Sequence, residues 1–225
     1  MSATLPTPLS DDNQGQFAAQ FTAQALTCVR QDRCLFEDLS FSLKTGEILQ
    51  VEGPNGAGKS SLLRILAGFL HADSGQLLWQ QQAIKKDPEA FLSELLFIGH
   101  KAGINPYLSA LENVNFWLQL HVDNNDVNVF ELLGRLGLVG LEDIPVSQLS
   151  AGQQRKVALA RLWLTQARLW ILDEPFTAID KKGVRGLQKR FAQHLSTGGM
   201  IILTTHQDLT EHFDRLQRVV LEYQF

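Results

Sequence analysis

Residues 53 to 60 read Gly-Pro-Asn-Gly-Ala-Gly-Lys-Ser and fill every fixed position of Gly-x-x-x-x-Gly-Lys-(Ser/Thr). That pattern constrains chemistry and fold together, because it describes a loop that holds a polyanion with main-chain donors. Gly53, Gly56 and Gly58 carry no β-carbon, so the backbone is free to turn its N–H groups inward at positive φ and approach phosphate oxygens closely. Lys59 supplies a point charge for the β and γ phosphates, and Ser60 a hydroxyl for Mg²⁺. Pro54, Asn55, Ala57 and Ser61 complete the cradle. The apolar run Ile48-Leu49-Gln50-Val51 predicts a strand leading in. Ser61 to Ala67 predicts a helix leading out, with its N-terminal dipole aimed at the nucleotide.

The 225 residues, 44% of them hydrophobic, suffice for a sizeable core without staples. Cys28 and Cys34 stand six apart in a predicted hairpin, which is no metal or redox spacing, so a reducing compartment is expected. Net charge is −4 with no block of Lys or Arg, which argues against a nucleic-acid partner and leaves room only for a patch assembled by the fold. No apolar run approaches the length a bilayer needs, and the first twenty residues are polar and acidic rather than a signal peptide. Service to a membrane would therefore come from the cytoplasmic side, through a partner.

Residues 1 to about 20 read as a flexible tail and 21–225 as one domain. Residues 21 to 30 and 34 to 43 predict two strands joined by a turn at Gln31-Asp32-Arg33. Further strands are expected at 76–80 and 95–98, then at 169–172, 200–203 and 218–222. The runs at 169 and 200 are continuously apolar, as strands buried on both faces are. Residues 109 to 166 are mostly helical by periodicity, broken at Gly134, Gly137, Gly140 and Pro145. The fold expected is α/β: a phosphate-loop sheet domain with an antiparallel β entry and an inserted helical subdomain over about 100–166.

The strand at 169–172 runs into Asp173-Glu174-Pro175. Two carboxylates at the C-terminal edge of an apolar strand, downstream of a phosphate loop, point to triphosphate hydrolysis. Asp173 would hold Mg²⁺ through water and Glu174 would orient or deprotonate the attacking water.

Residues 149 to 153, Leu-Ser-Ala-Gly-Gln, precede a predicted helix over 154–163. This segment resembles the Leu-Ser-Gly-Gly-Gln signature of ATP-binding cassette (ABC) ATPases, with Ala151 in place of the first glycine. The resemblance covers about residues 21 to 223 in the family's motif order. It implies that Ser150, Gly152 and Gln153, with the helix N-terminus behind them, close over the γ phosphate of an ATP held by a second copy. The active form is then a head-to-tail homodimer around two ATP molecules. Thr177-Ala178-Ile179-Asp180 resembles the segment lining the dimer seam, and His206 the histidine that contacts the γ phosphate.

Two positions depart from the family pattern. His100 stands where the family carries a γ-phosphate-sensing glutamine; it either senses, with pH sensitivity, or simply fills the loop. Arg30 falls where the family carries an adenine-stacking aromatic; it is either a stacking guanidinium or an exposed turn residue.

Within the family, Ile98-Gly99-His100, the run 148–164 and the run 173–180 resemble the ATP-binding subunits of cytochrome c maturation systems. That implies a peripheral subunit on the cytoplasmic face of a bacterial inner membrane, bound to integral membrane partners. There it would drive haem export or release of a haem-loaded chaperone. The chain has no Cys-x-x-Cys-His, and His71, His121, His194 and His212 read as scattered surface residues, so no direct haem contact is expected. Residues 100 to 107 would link the sensor to Leu111, Val114, Phe116, Trp117 and Leu120, where Phe116 or Trp117 is a candidate lining of a docking groove. The competing readings are the ATPase of another small-substrate transporter, a soluble cassette protein acting on ribosomes or DNA, and an ATP-dependent clamp with little hydrolysis. Glu174 argues against the clamp.

Overall fold

The structure, a computed structural model, describes residues 20–121 and 127–223. Residues 1–19, where the flexible tail is expected, lie outside them. The strands β1 (Gln20–Arg30) and β2 (Arg33–Lys44) pair antiparallel across a turn whose residues Gln31 and Asp32 both take left-handed φ, 52° and 60°. Two consecutive left-handed residues match the right-handed strand twist, as tight hairpins require. The strand β3 (Ile48–Glu52) enters the phosphate loop and α1 (Lys59–Leu66) leaves it. Next come β4 (Ser74–Trp79), β5 (Gln82–Ala83), α2 (Pro88–Ser93) and β6 (Leu95–Ile98). The helices α3 (Ala110–His121), α4 (Val129–Arg135) and α5 (Ala151–Leu159) follow. The chain closes with β7 (Leu169–Asp173), α6 (Lys181–Ser196), β8 (Met200–Thr204) and β9 (Leu216–Val220).

Two sheets result. The antiparallel one runs β2-β1-β4-β5, and the parallel one β6-β7-β8-β3-β9. The helix α1 lies between them, burying Leu62, Leu63, Ile65 and Leu66 against Phe21, Leu26 and Leu43 on one side and Leu49, Ile171 and Ile202 on the other. The opposite face of the parallel sheet, with Ile48, Trp170, Leu172 and Ile201, is covered by Leu187 and Phe191 of α6 and Leu159 of α5. Alternate residues of each parallel strand thus enter two different cores, which is why these strands read as unbroken apolar runs. A third cluster, with Val114, Leu118, Leu133 and Val157, joins α3, α4 and α5. Trp117 and Trp163 pack against both this cluster and the sheet core.

Several local expectations need correction. The helix expected from Gln154 starts at Ala151, because Ser150 and Gln153 form a reciprocal capping box. The last strand is Leu216–Val220, displaced by its pairing with β3. Neither α2 nor the long α6 was anticipated, although Asp87 and Asp180 cap them. His194 is not a surface residue: it is 6% exposed, and its ring stacks on Trp170 at 3.6 Å between centroids. Burial, then the neighbouring Arg190 charge, lowers its pKa from 6.5 to about 4.

A histidine held neutral in the folded chain and free to protonate when unfolded stabilises above pH 6.5, and that stability is lost as pH falls from 6.5 towards about 4. Urea unfolding between pH 7 and 5 should therefore show a loss of about 2 kcal/mol that His194→Phe removes. An equal slope in the variant would contradict this origin.

Candidate functional site

Parallel pairing sets Val51, Thr204 and Asp173 side by side at the C-terminal edge of the sheet. This edge is where open α/β sheets bind ligands. The phosphate loop leaves β3 at the same edge, with φ of 142° at Gly53, 83° at Gly56 and 101° at Gly58. A β-carbon at Gly53 would run into the main-chain oxygen of Leu221, and one at Gly58 would lie 3.0 Å from Leu35. Those two glycines are thus required by contact as well as by φ. The Lys59 ammonium donates to the carbonyls of Gly53 (2.7 Å) and Pro54 (3.1 Å), which holds the charge inside the curve of the loop. Ser60 and Ser61 open α1.

Asp173, 6% exposed, joins the two halves of the site. Its Oδ2 accepts from Ser60 Oγ at 2.9 Å and its Oδ1 from Thr204 Oγ1 at 2.7 Å. Thr204 Oγ1 in turn accepts from the Glu174 N–H at 2.9 Å. Glu174 sits at φ 50°, a left-handed conformation unusual for a residue with a β-carbon. That turn, fixed by Thr204, carries the Glu174 carboxylate out of line with the strand and towards His206, whose Nε2 is 3.5 Å from its Oε1. The hydroxyl of Ser60 with the carboxylate of Asp173 is an all-oxygen pair suited to Mg²⁺.

Three contributors were missed by sequence reasoning. Thr204 had a signal, a hydroxyl at the end of an apolar strand. Gln50 had another, an amide inside an apolar strand: buried on β3, its Nε2 lies 3.4 and 3.3 Å from the carbonyls of Thr205 and Gln207, on either side of His206. Arg155 had none beyond its place in α5. It is 7% exposed and donates to the carbonyls of Gly99 (2.8 Å) and Asp173 (2.5 Å), tying α5 to the C-terminal ends of β6 and β7. Burial lowers its pKa, opposed by the charges of Asp173 and Glu174.

The signature residues form a separate station. Ser150 Oγ accepts from the Gln153 N–H and Gln153 Oε1 from the Ser150 N–H, at 3.3 and 2.8 Å. A β-carbon on Gly152 would collide with the carbonyl of Ala178, so that glycine lets the signature lie against residues 177–180. Asp180 caps α6 through the Gly183 N–H at 2.6 Å and pairs with Lys156 at 2.9 Å. The Gly183 bond first, then Lys156, lowers its pKa. Among the described residues no hydrogen bond joins 150–153 to 53–61.

His100 is exposed just beyond β6, whose Ile98 pairs with Leu172. Arg30 ends β1 beside the turn, its side chain 35% exposed. Its guanidinium donates to Asp73 (3.0 Å) and to the carbonyls of Val29 and His71, while Asp73 also accepts from the Val29 N–H.

This loop and carboxylate arrangement at the edge of a parallel sheet defines a P-loop nucleotide-binding domain. Residues 36–177 match the family described as "ABC transporter". The chain is 54% identical over 199 residues to the cytochrome c biogenesis ATP-binding export protein CcmA of Yersinia pestis bv. Antiqua (strain Nepal516), covering 88% of this chain and 91% of that one. It is 50% identical to the protein of the same description from Aliivibrio fischeri, covering 87% and 96%. Among solved structures, one described as the ATP binding subunit of an ABC transporter has a TM-score of 0.79 at 22% identity, covering 91% and 88%. The dimeric structure of MJ0796, a bacterial ABC transporter cassette, has a TM-score of 0.76 at 21% identity, covering 91% and 97%. The chain belongs to the ABC transporter family, as an ATP-binding domain of it.

Replacing Thr204 by valine keeps the shape but removes a donor to Asp173 and the acceptor for the Glu174 N–H. We expect a loss of about 2 kcal/mol in urea unfolding, largely restored by Thr204→Ser. An unchanged midpoint would contradict the bridge.

Proposed function

We propose that the chain is the ATP-hydrolysing subunit of a membrane complex for cytochrome c maturation, driving haem export or release of a haem-loaded chaperone. The observation that carries the ATPase reading is the Ser60–Asp173–Thr204–Glu174 chain of hydrogen bonds, which fixes the phosphate loop and the second carboxylate in one frame. The maturation task rests on the relatives, which are named as cytochrome c biogenesis export proteins.

In this mechanism Lys59 and the loop amides bind the β and γ phosphates, and Glu174 accepts the proton of the attacking water. The new bond forms at the γ phosphorus as its bridging bond to the β phosphate breaks. Ser60 and Asp173 would hold Mg²⁺, which would supply positive charge against the phosphates. His206 borders both Glu174 and the phosphate side, with Gln50 holding its loop. Ser150, Gly152 and Gln153 have no bond to the phosphate loop of their own chain, which supports their acting on the nucleotide of a second copy. The exposed N-terminus of α5 offers the main-chain donors and dipole for that anion site.

The surface that supports a membrane partner is a groove of about 1150 Å³ between β6 and α3, lined by Phe69, Leu92, Ile104, Phe116, Trp117 and Leu120. Phe69, Phe116 and Leu120 are 54, 57 and 64% exposed, an apolar concentration suited to a helix laid in a groove. Asn113 fastens this wall to the loop after His100, accepting from the Asn105 N–H at 2.7 Å and donating to the Asn105 carbonyl at 2.9 Å. A displacement at His100 is thereby passed to the groove. Such a groove supports a peripheral subunit held by membrane partners, on our reading at the cytoplasmic face of a bacterial inner membrane. No helix among the described residues is long and apolar enough to cross a membrane.

Glu174→Gln should bind Mg-ATP, stop turnover and form a dimer that light scattering detects in saturating Mg-ATP, whereas Lys59→Ala should lose ATP binding with an unchanged melting temperature. A monomeric Glu174→Gln chain would count against the sandwich. Full turnover in Lys59→Ala would overturn the phosphate-loop assignment. If His100 is the sensor, His100→Gln keeps hydrolysis and His100→Ala loses most of it; equal turnover in the two variants would leave it a loop residue.

A further inference from the structure

A second cavity, of about 410 Å³, lies between α5, α6 and residues 135–137 and shares no lining residue with the cavity beside Lys59 and His206. Its floor is apolar, with Leu159, Trp163, Ile179 and Leu187. Its rim is cationic: Lys182, Arg185 and Lys189 stand on one stripe of α6, facing Lys156 and Arg135. Lys156 and Arg135 are paired with Asp180 and Glu131. The three cations on α6 are exposed and in no ion pair among the described residues.

Three features of α6 are costly without a ligand. The helix carries no Asp or Glu between Lys181 and Ser196, in a chain whose net charge is −4. Lys181 and Lys182 occupy its first turn, where the helix dipole disfavours cations. Gly186 sits in the helix interior, where glycine weakens a helix. Gly183 has a packing reason, since a β-carbon there would meet Ile179 at 2.5 Å, but one on Gly186 would meet nothing within 4 Å. The missing side chain at Gly186 keeps the cavity open.

We propose that this cavity binds a small amphipathic anion, its apolar body against Trp163 and Leu187 and its carboxylate, sulfonate or phosphate group against Lys182, Arg185 and Lys189. The volume falls in the range of about 300–1,000 Å³ usual for small-molecule sites. The cationic rim selects the sign of the ligand's charge and the floor selects an apolar body over a free inorganic ion. Because Asp180 and Ile179 form one wall, an occupant touches the segment adjoining the signature.

The probe is 1-anilinonaphthalene-8-sulfonate, titrated by fluorescence and calorimetry into the full chain, with neutral N-phenyl-1-naphthylamine as comparison. One saturable site is expected for the sulfonate, with the neutral probe about tenfold weaker. Arg185→Glu with Lys189→Glu should weaken the sulfonate by about tenfold or more. Gly186→Leu should abolish its binding by filling the cavity, with a melting temperature equal to or above the parent's. Phe116→Ser, in the other groove, should leave the titration unchanged. Binding that survives both α6 variants, an equal affinity for the neutral probe, or no saturable binding would overturn the assignment.

Discussion

A single buried carboxylate holds the catalytic edge together. Asp173 takes one hydroxyl from the helix after the phosphate loop and another from the strand beside it. Its main-chain oxygen is claimed by Arg155 of the signature helix. A polar group almost fully removed from water persists only where hydrogen bonds replace its hydration. Here those bonds come from two separate segments of the chain, α1 and β8, while a third, α5, holds the main-chain oxygen of the same residue. The site is therefore a consequence of correct register between β3, β8 and β7, since a one-residue slip would turn Asp173 or Thr204 to the other face of the sheet.

The same constraint explains the division of the molecule. The sheet edge presents a frame of main chain and short side chains. The helical part is tied to that frame by Arg155, through the Gly99 and Asp173 carbonyls, and by the Lys156–Asp180 pair, while Arg161 fastens its own loop at the Gly103 carbonyl. Both arginines are desolvated, which lowers their pKa values and makes each tie costly to break and poorly replaced by water. The Asn113 bonds to Asn105 join the loop after β6 to the α3 wall of the apolar groove.

Much of this was legible in the sequence because the constraints are local. The phosphate loop, the hairpin turn at Gln31-Asp32 and the apolar strands each state their geometry in adjacent residues. The parts that were not legible depend on partners far along the chain. Arg155 reads as one more cation in a helix until Gly99 and Asp173 meet it, and His194 reads as surface until Trp170 covers it. Arg30 was placed by its distance from the phosphate loop, which carries no information about Asp73. The α6 cations escaped attention because Lys181, Lys182, Arg185 and Lys189 are interspersed with apolar residues, and only helical winding gathers them on one face.

The assigned task is most directly tested by isolating the Glu174→Gln chain from native membranes in mild detergent with Mg-ATP, identifying its companions by mass spectrometry and recording a haem absorption spectrum. Our account predicts multispanning membrane proteins together with a haem-bearing chaperone. A different permease without haem, or ribosomal proteins with no membrane subunit, would leave the ATPase chemistry standing and contradict the role in cytochrome c maturation.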